Sequence, residues 1–229
     1  MNSGQKICRK GGIIIINKEN DKVLGSDIYA ITAEEFSRGR DNIQVVQELL
    51  DSGVEIIQYR EKEKKPREKL KQCKQIREMT RQAGCKFIVN DDIDIALLVG
   101  ADGIHVGQDD LPVDEIRKLV KDEMIIGLST HTPEEVKEGI GLGADYIGVG
   151  PVFETTTKEY KGELAGLEFV EYVYQNFNIP FVAIGGIKRD NIKLVKKKGA
   201  NCFALVTEIV ESENIQERIK ELRNIISPG

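Results

Sequence analysis

A short joint recurs four times along the chain, as Ser52-Gly53-Val54-Glu55, Gly100-Ala101-Asp102, Gly143-Ala144-Asp145 and Gly199-Ala200-Asn201. Each copy sets a glycine just behind a stretch with apolar residues at helical spacing and just ahead of a short β-rich run. Glycine tolerates the left-handed conformation that ends a helix, so the chain can pass directly from helix to strand. Four copies of one joint mean that a single strand–helix unit is used repeatedly, which removes most other fold classes.

The units can be followed through the chain. Strand-like runs occupy residues 28–32, 55–60, 86–90, 103–106, 124–129, 145–150, 181–184 and 202–206. Helical periodicity fills residues 42–50, 66–83, 93–99, 112–120, 133–140, 167–175, 190–197 and 214–226. Alternation with nearly continuous apolar strands predicts a parallel sheet buried on both faces. Eight units without a break predict an α/β fold, a closed (β/α)8 TIM barrel, with an open doubly wound sheet as the alternative. The 229 residues suit one such barrel. A single catalytic domain is therefore expected over residues 26–229. Residues 1–25 differ, mixing Gly11-Gly12, four isoleucines at 13–16 and a polar stretch at 17–22. They are expected to form an N-terminal extension, a short strand or hairpin or a partly disordered arm, whose role is not readable.

Composition narrows the partners. With 33 Lys+Arg against 38 Asp+Glu the net charge is −5, so no global basic field exists to hold nucleic acid or an anionic membrane. Small-molecule substrates are expected, bound by local cations if they carry phosphate. The isoleucine run is too short for a signal-peptide core or a bilayer span. Cys8, Cys73, Cys85 and Cys202 are scattered, without zinc spacing, and free thiols fit a reducing cytoplasm. Oligomeric state is not readable, and a homodimer stays open.

In such barrels the active site lies at the C-terminal ends of the strands. Those ends carry Gln58-Tyr59-Arg60-Glu61-Lys62, Asn90-Asp91-Asp92, His105 through Asp110, Ser129 through Thr132, Gly150 through Lys158, Gly185-Gly186-Ile187 and Thr207-Glu208. Arg60, Lys62 and Lys158 sit on separate loops and could converge on a polyanion. Asp91 and Asp110 are carboxylates on neighbouring loops, and magnesium takes one or two carboxylates plus water and phosphate oxygens. The Gly185-Gly186 turn ahead of a helix offers bare backbone N–H groups for a second phosphate. Each feature has a plainer reading: Asp91-Asp92 and Asp109-Asp110 as helix caps, Arg60 and Lys62 as a solvated face, the glycine pair as an ordinary turn. A lone histidine is more often structural than catalytic, so neither His105 nor His131 receives a catalytic role. Joint placement at strand ends favours the functional reading.

These motifs, in this order and spacing from about Tyr29 to Glu208, resemble the thiamine-phosphate synthase family. The resemblance implies a (β/α)8 transferase that couples hydroxymethylpyrimidine diphosphate to hydroxyethylthiazole phosphate, giving thiamine phosphate and pyrophosphate. It implies magnesium at Asp91 and Asp110. Arg60, Lys62, Asn90, Ser129 and Lys158 would hold the diphosphate, and Gln58 would help place the pyrimidine. Thr155, Thr157 and Gly186 would hold the thiazole phosphate, with backbone groups at Val206 and Thr207 assisting. Arg60, Lys62, Ser129 and Lys158 would act in catalysis, by a dissociative route that needs no side-chain nucleophile. Two positions depart from the family pattern: Glu154 precedes the first threonine of the strand-six loop, and Thr207-Glu208 ends strand eight. Glu208 is expected to turn away from the anion, and residues 155–162 to form a mobile lid. The alternatives are a metal-free thiazole tautomerase, which has no need of the diphosphate cluster, and a non-catalytic thiamine-phosphate binder.

Overall fold

Each strand-like run becomes a strand and each periodic stretch a helix in the computed structural model, which describes residues 24–155, 157 and 162–227. The strands are β1 (Ile28–Ile31), β2 (Ile56–Tyr59), β3 (Lys86–Asn90), β4 (Gly103–Val106), β5 (Ile125–Thr130), β6 (Tyr146–Val149), β7 (Phe181–Ala183) and β8 (Phe203–Leu205). The helices are α1 (Asn42–Asp51), α2 (Pro66–Ala83), α3 (Ile93–Val99), α4 (Val113–Val120), α5 (Pro133–Leu142), α6 (Gly166–Asn176), α7 (Ile192–Lys197), α8 (Thr207–Val210) and α9 (Ile215–Ile226). A 3-10 turn at Glu34–Phe36 follows β1. Strands pair in parallel in chain order and β8 closes on β1, so the sheet is a closed barrel and the open-sheet alternative falls. The short α8 was not anticipated, because four residues carry no periodicity. Residues 1–23, with Cys8 and the isoleucine run, lie outside the described residues, while Leu24 is buried in the barrel's interior cluster.

Strand alternation divides the core in two. Ile57, Tyr59, Phe87, Val89, Ile104 and Ile147 face the helices and join the larger cluster. Tyr29, Ile31, Ile56, Ile88, Tyr146, Val182 and Ala204 fill the interior. Burial on both faces explains why the strands read as unbroken apolar runs. Cys73, Cys85 and Cys202 are free and buried. No helix of the described residues is long and apolar enough to cross a membrane.

The recurring joints lie at the N-terminal face. Gly53, Gly100, Gly143 and Gly199 all adopt positive φ, between 61° and 101°. The acid that follows two of these glycines, and its counterpart before β1, is held by an arginine from a helix. Arg77 of α2 grips Asp102 with two bonds of 2.7 and 3.0 Å. Arg117 of α4 reaches Asp145 at 2.6 Å, and Arg223 of α9 reaches Asp27 at 3.1 Å. Asp102 and Asp145 also accept the backbone N–H of Phe87 and Ile126. These clamps stitch helices to strand starts on the face where barrels keep stability rather than chemistry.

Candidate active site

At the opposite face two adjoining hollows open over the strand ends, sharing Ser129, Gly148, Thr157, Ile184, Ala204 and Val206. The inner one reaches into the barrel and is lined by Tyr29, Gln58, Arg60, Asn90 and His105. The outer one lies under the loops after β5 to β8, against Thr155, Gly185, Gly186 and Thr207. Most of the expected site residues therefore meet at one rim. Lys158 lies outside the described residues, as do four other residues of the expected lid.

The motif after β2 alternates as strand geometry demands. Gln58 faces inward and is buried, and Arg60 follows it into the inner hollow. The Arg60 backbone N–H donates to Thr32 Oγ1 at 3.0 Å, and its guanidinium has no acidic partner among the described residues. An arginine held at a cavity wall without a carboxylate is poised for an anionic ligand. Tyr59 and Glu61 point the other way. The Tyr59 hydroxyl donates to Gln72 Oε1 at 2.7 Å, and Glu61 Oε1 accepts from the Glu34 backbone at 2.9 Å and from Asn42 Nδ2 at 2.8 Å. Glu34 completes this anchor by accepting from Lys64 and Gln72. Burial alone would raise the Glu34 carboxyl, but those bonds and the Asn42 N–H outweigh it and hold it below its ordinary value.

Lys62 Nζ lies 2.6 Å from Asp91 Oδ2. Asp91 directly follows β3 at a φ of +59°, a conformation uncommon outside glycine and most tolerable for Asp or Asn. Asp110 accepts from the Gly107 N–H at 2.7 Å, and its carboxyl is raised, first by burial and then by the facing Asp91, against the opposing pull of that N–H. Neither is a helix cap. Asp92 is the N-cap of α3 but makes no side-chain cap bond and pairs instead with Lys69 at 2.8 Å; Pro112 is the N-cap of α4. Two carboxylates thus confront each other beside a lysine.

The outer hollow is built of backbone and hydroxyls. Thr155 Oγ1 and Thr157 Oγ1 are 2.9 Å apart. Gly185 and Gly186 adopt φ of +99° and +60°. A Cβ on Gly186 would stand 2.3 Å from Glu154 O and 2.8 Å from Phe153 Cβ. The glycine is thus required by close packing of two loops as well as by the turn. The helix after the turn, expected from residue 190, starts at Ile192, and the helix beside the hollow is the short α8, capped by Val206.

A family model described as thiamine monophosphate synthase matches residues 28–209. A thiamine-phosphate synthase of Pelotomaculum thermopropionicum is 56% identical over 205 residues, covering 90% of this chain and 94% of that protein. One from Caldicellulosiruptor saccharolyticus is 53% identical, covering 87% and 90%. The chain belongs to the thiamine monophosphate synthase family. A solved thiamine phosphate pyrophosphorylase from Pyrococcus furiosus superposes with a TM-score of 0.81 at 33% identity, covering 92% of this chain and 98% of that one. The chain is accordingly a transferase, and thiamine phosphate formation is the activity of its family.

Its departures from the family pattern are accommodated locally. Glu208 turns to Arg218 of α9 and leaves the hollow, as expected. Glu154 lines the outer hollow, and its backbone oxygen packs on Gly186. Sequence reasoning assigned Tyr29 and Tyr146 no role and His105 only a structural one; the three form a buried polar chain between Gln58 and Ser129. Their inward positions on strands were the available signal, since a polar side chain inside a barrel needs a partner.

Proposed function

We propose that this synthase joins an aminopyrimidine-methyl diphosphate to a thiazole phosphate, with the diphosphate over Asp91, Asp110, Arg60 and Lys62, and the thiazole phosphate at the glycine turn. The observation that carries this is Arg60 in the wall of the inner hollow, without an acidic partner among the described residues, together with the facing carboxylates of Asp91 and Asp110 at the ends of the next strands. That donor set suits magnesium. Magnesium takes one or two carboxylates, here Asp91 and Asp110, and completes its shell with water and phosphate oxygens. When bound, the ion would neutralise charge on the departing diphosphate.

Arg60, Lys62 and Lys158 supply the remaining positive field, which strengthens as the leaving group gathers charge. Gln58 helps place the pyrimidine, and Asn90 and Ser129 donate to the diphosphate. The C–O bond to the pyrimidine methylene breaks with its electron pair going to pyrophosphate. The aminopyrimidine ring delocalises the resulting cation, and the thiazole nitrogen lone pair forms the new C–N bond. Backbone N–H groups at Gly186, Val206 and Thr207, with Thr155 and Thr157, grip the thiazole phosphate and hold its nitrogen in line. Alignment of two bound substrates is itself worth roughly 7–11 kcal/mol in favourable cases. The test is pyrophosphate release with both substrates, with and without magnesium. Equal amounts of pyrophosphate and thiamine phosphate, dependent on both substrates and the metal, are expected. Isomerisation of the thiazole phosphate alone, or binding without turnover, would refute it.

A further inference from the structure

We infer that a one-way hydrogen-bond chain through the barrel interior, Gln58–Tyr29–Tyr146–His105–Ser129, holds His105 as the neutral Nε2–H tautomer and leaves the Ser129 proton for the ligand. His105, Tyr146 and Tyr29 are then positioning residues for two groups that the proposed reaction uses, and the inference rests on that reading for its catalytic meaning.

The chain is continuous. Gln58 Nε2 donates to the Tyr29 hydroxyl at 2.9 Å, and the Tyr29 and Tyr146 hydroxyls are 2.8 Å apart. Tyr146 lies 3.0 Å from His105 Nδ1, and His105 Nε2 lies 2.9 Å from Ser129 Oγ. Proton accounting gives it a direction. An amide nitrogen can only donate, so Tyr29 accepts from Gln58. Both phenols are fully buried, and burial raises them far above any working pH, so each keeps its single proton. Among the described residues the Tyr29 proton has only the Tyr146 oxygen as acceptor, so Tyr29 donates to Tyr146, and the Tyr146 proton is left to donate to His105 Nδ1. Nδ1 is then the acceptor, Nε2 carries the hydrogen, and Ser129 Oγ receives it. The serine's own O–H remains to donate, which suits an anion and would be wasted on a cation.

The barrel gives up side chains to house this chain. A Cβ on Gly127 would stand 2.2 Å from Tyr146 Cζ and 2.5 Å from His105 Nδ1, and one on Gly148 would stand 3.3 Å from His105 Cε1. Glycine inside a strand weakens it and is kept where something must approach closely. Here two strand glycines, paired in register with Tyr146 and Ser129, open the space for both rings.

The test begins with nitrogen NMR of histidine-labelled, substrate-free protein at neutral pH. The chain has 2 histidines, so His131→Gln assigns the His105 signals. An unprotonated Nδ1, accepting from Tyr146, and a protonated Nε2 are expected. Tyr146→Phe removes the donor to Nδ1, so both tautomers should appear, and kcat should fall about tenfold, the size of one lost buried hydrogen bond. His105→Gln, whose amide can still donate to Ser129, should retain several-fold more kcat than His105→Leu. The tautomer is read without substrate, so an inactive protein with the expected tautomer refutes the proposed reaction but confirms the chain. A protonated Nδ1, an imidazolium at neutral pH, or equal turnover of His105→Gln and His105→Leu would overturn the inference.

Discussion

Replacing Arg117 by methionine keeps an unbranched apolar stem and deletes one clamp of the N-terminal face. The guanidinium makes four bonds: Nη1 to Lys121 O at 2.6 Å and Met124 O at 3.1 Å, and Nη2 to Gly143 O at 2.9 Å and Asp145 Oδ2 at 2.6 Å. Hydrogen bonds to charged groups contribute about 1.5–3 kcal/mol each when well buried. These are not: the Arg117 and Asp145 side chains are 22% and 36% exposed, so the freed carbonyls rehydrate and the ion pair itself adds at most about 1 kcal/mol. A net loss of about 3 kcal/mol remains. For a chain of this size that lowers Tm by roughly 6–12 °C. Urea unfolding should show a lower midpoint at unchanged slope, and kcat at 25 °C should stay within about twofold, because the clamp lies on the face opposite the substrates. A stability loss below about 1 kcal/mol, or lost turnover in a protein of normal stability, would refute the assignment of this face to stability alone.

Further outcomes follow from the site. Asp91→Asn and Asp110→Asn should each cut kcat at least about 100-fold and shift the magnesium concentration for half-maximal rate upward, with melting temperature preserved; an unchanged magnesium response in both variants removes the metal assignment. Gly186→Ala should raise the KM for thiazole phosphate about tenfold or more, because its Cβ must displace Glu154 O and Phe153; steady-state kinetics with each substrate varied in turn would contradict this if only the pyrimidine substrate were affected. The Glu34 carboxyl is held below its ordinary value of 4.5, so its stabilising contribution is full above that value and fades as pH falls through the lowered one. Glu34→Gln should therefore cost stability at pH 7 and progressively less toward about pH 3, and a gap that widened in acid would reverse the sign of that argument.

The fold was legible because its signals are local and repeated. Helical periodicity, eight β-rich runs and glycine joints each act within a few residues, and β3, α2 and α3 fall where they were expected. Ends shifted where a turn competes with the helix: residues 190 and 191 belong to a turn closed by Asn191 bonding Lys188 N and Gly186 O. Placement of Gln58, Asn90, Asp91, Asp110 and Ser129 at one rim follows from strand ends alone. What partners they take does not. Lys62 meets Asp91 across 29 positions and Gln58 connects to Ser129 through residues on three other strands. Such pairings depend on barrel closure, which no window of sequence contains. Strand alternation sets Glu61 on the outward side, but its partners Glu34 and Asn42 lie 27 and 19 positions away and are not legible from the motif.

That outward turn makes the five residues Gln58 to Lys62 two interleaved circuits on one ribbon. Gln58 and Arg60 line the inner hollow, and the odd positions, Tyr59 and Glu61, are fastened to α1, α2 and the turn after β1. Chemistry and anchorage are thus separated by a single residue step rather than by distance. The lining of the hollow can change by exchange at Gln58 or Arg60 while the loop stays moored through its neighbours. Insertion or deletion of one residue in β2 would exchange the circuits, exposing the moorings to the cavity and turning the arginine into the helix layer. Variation that re-tunes this enzyme is therefore channelled into substitution at alternate positions, and length changes are driven out to the loops beyond Lys64.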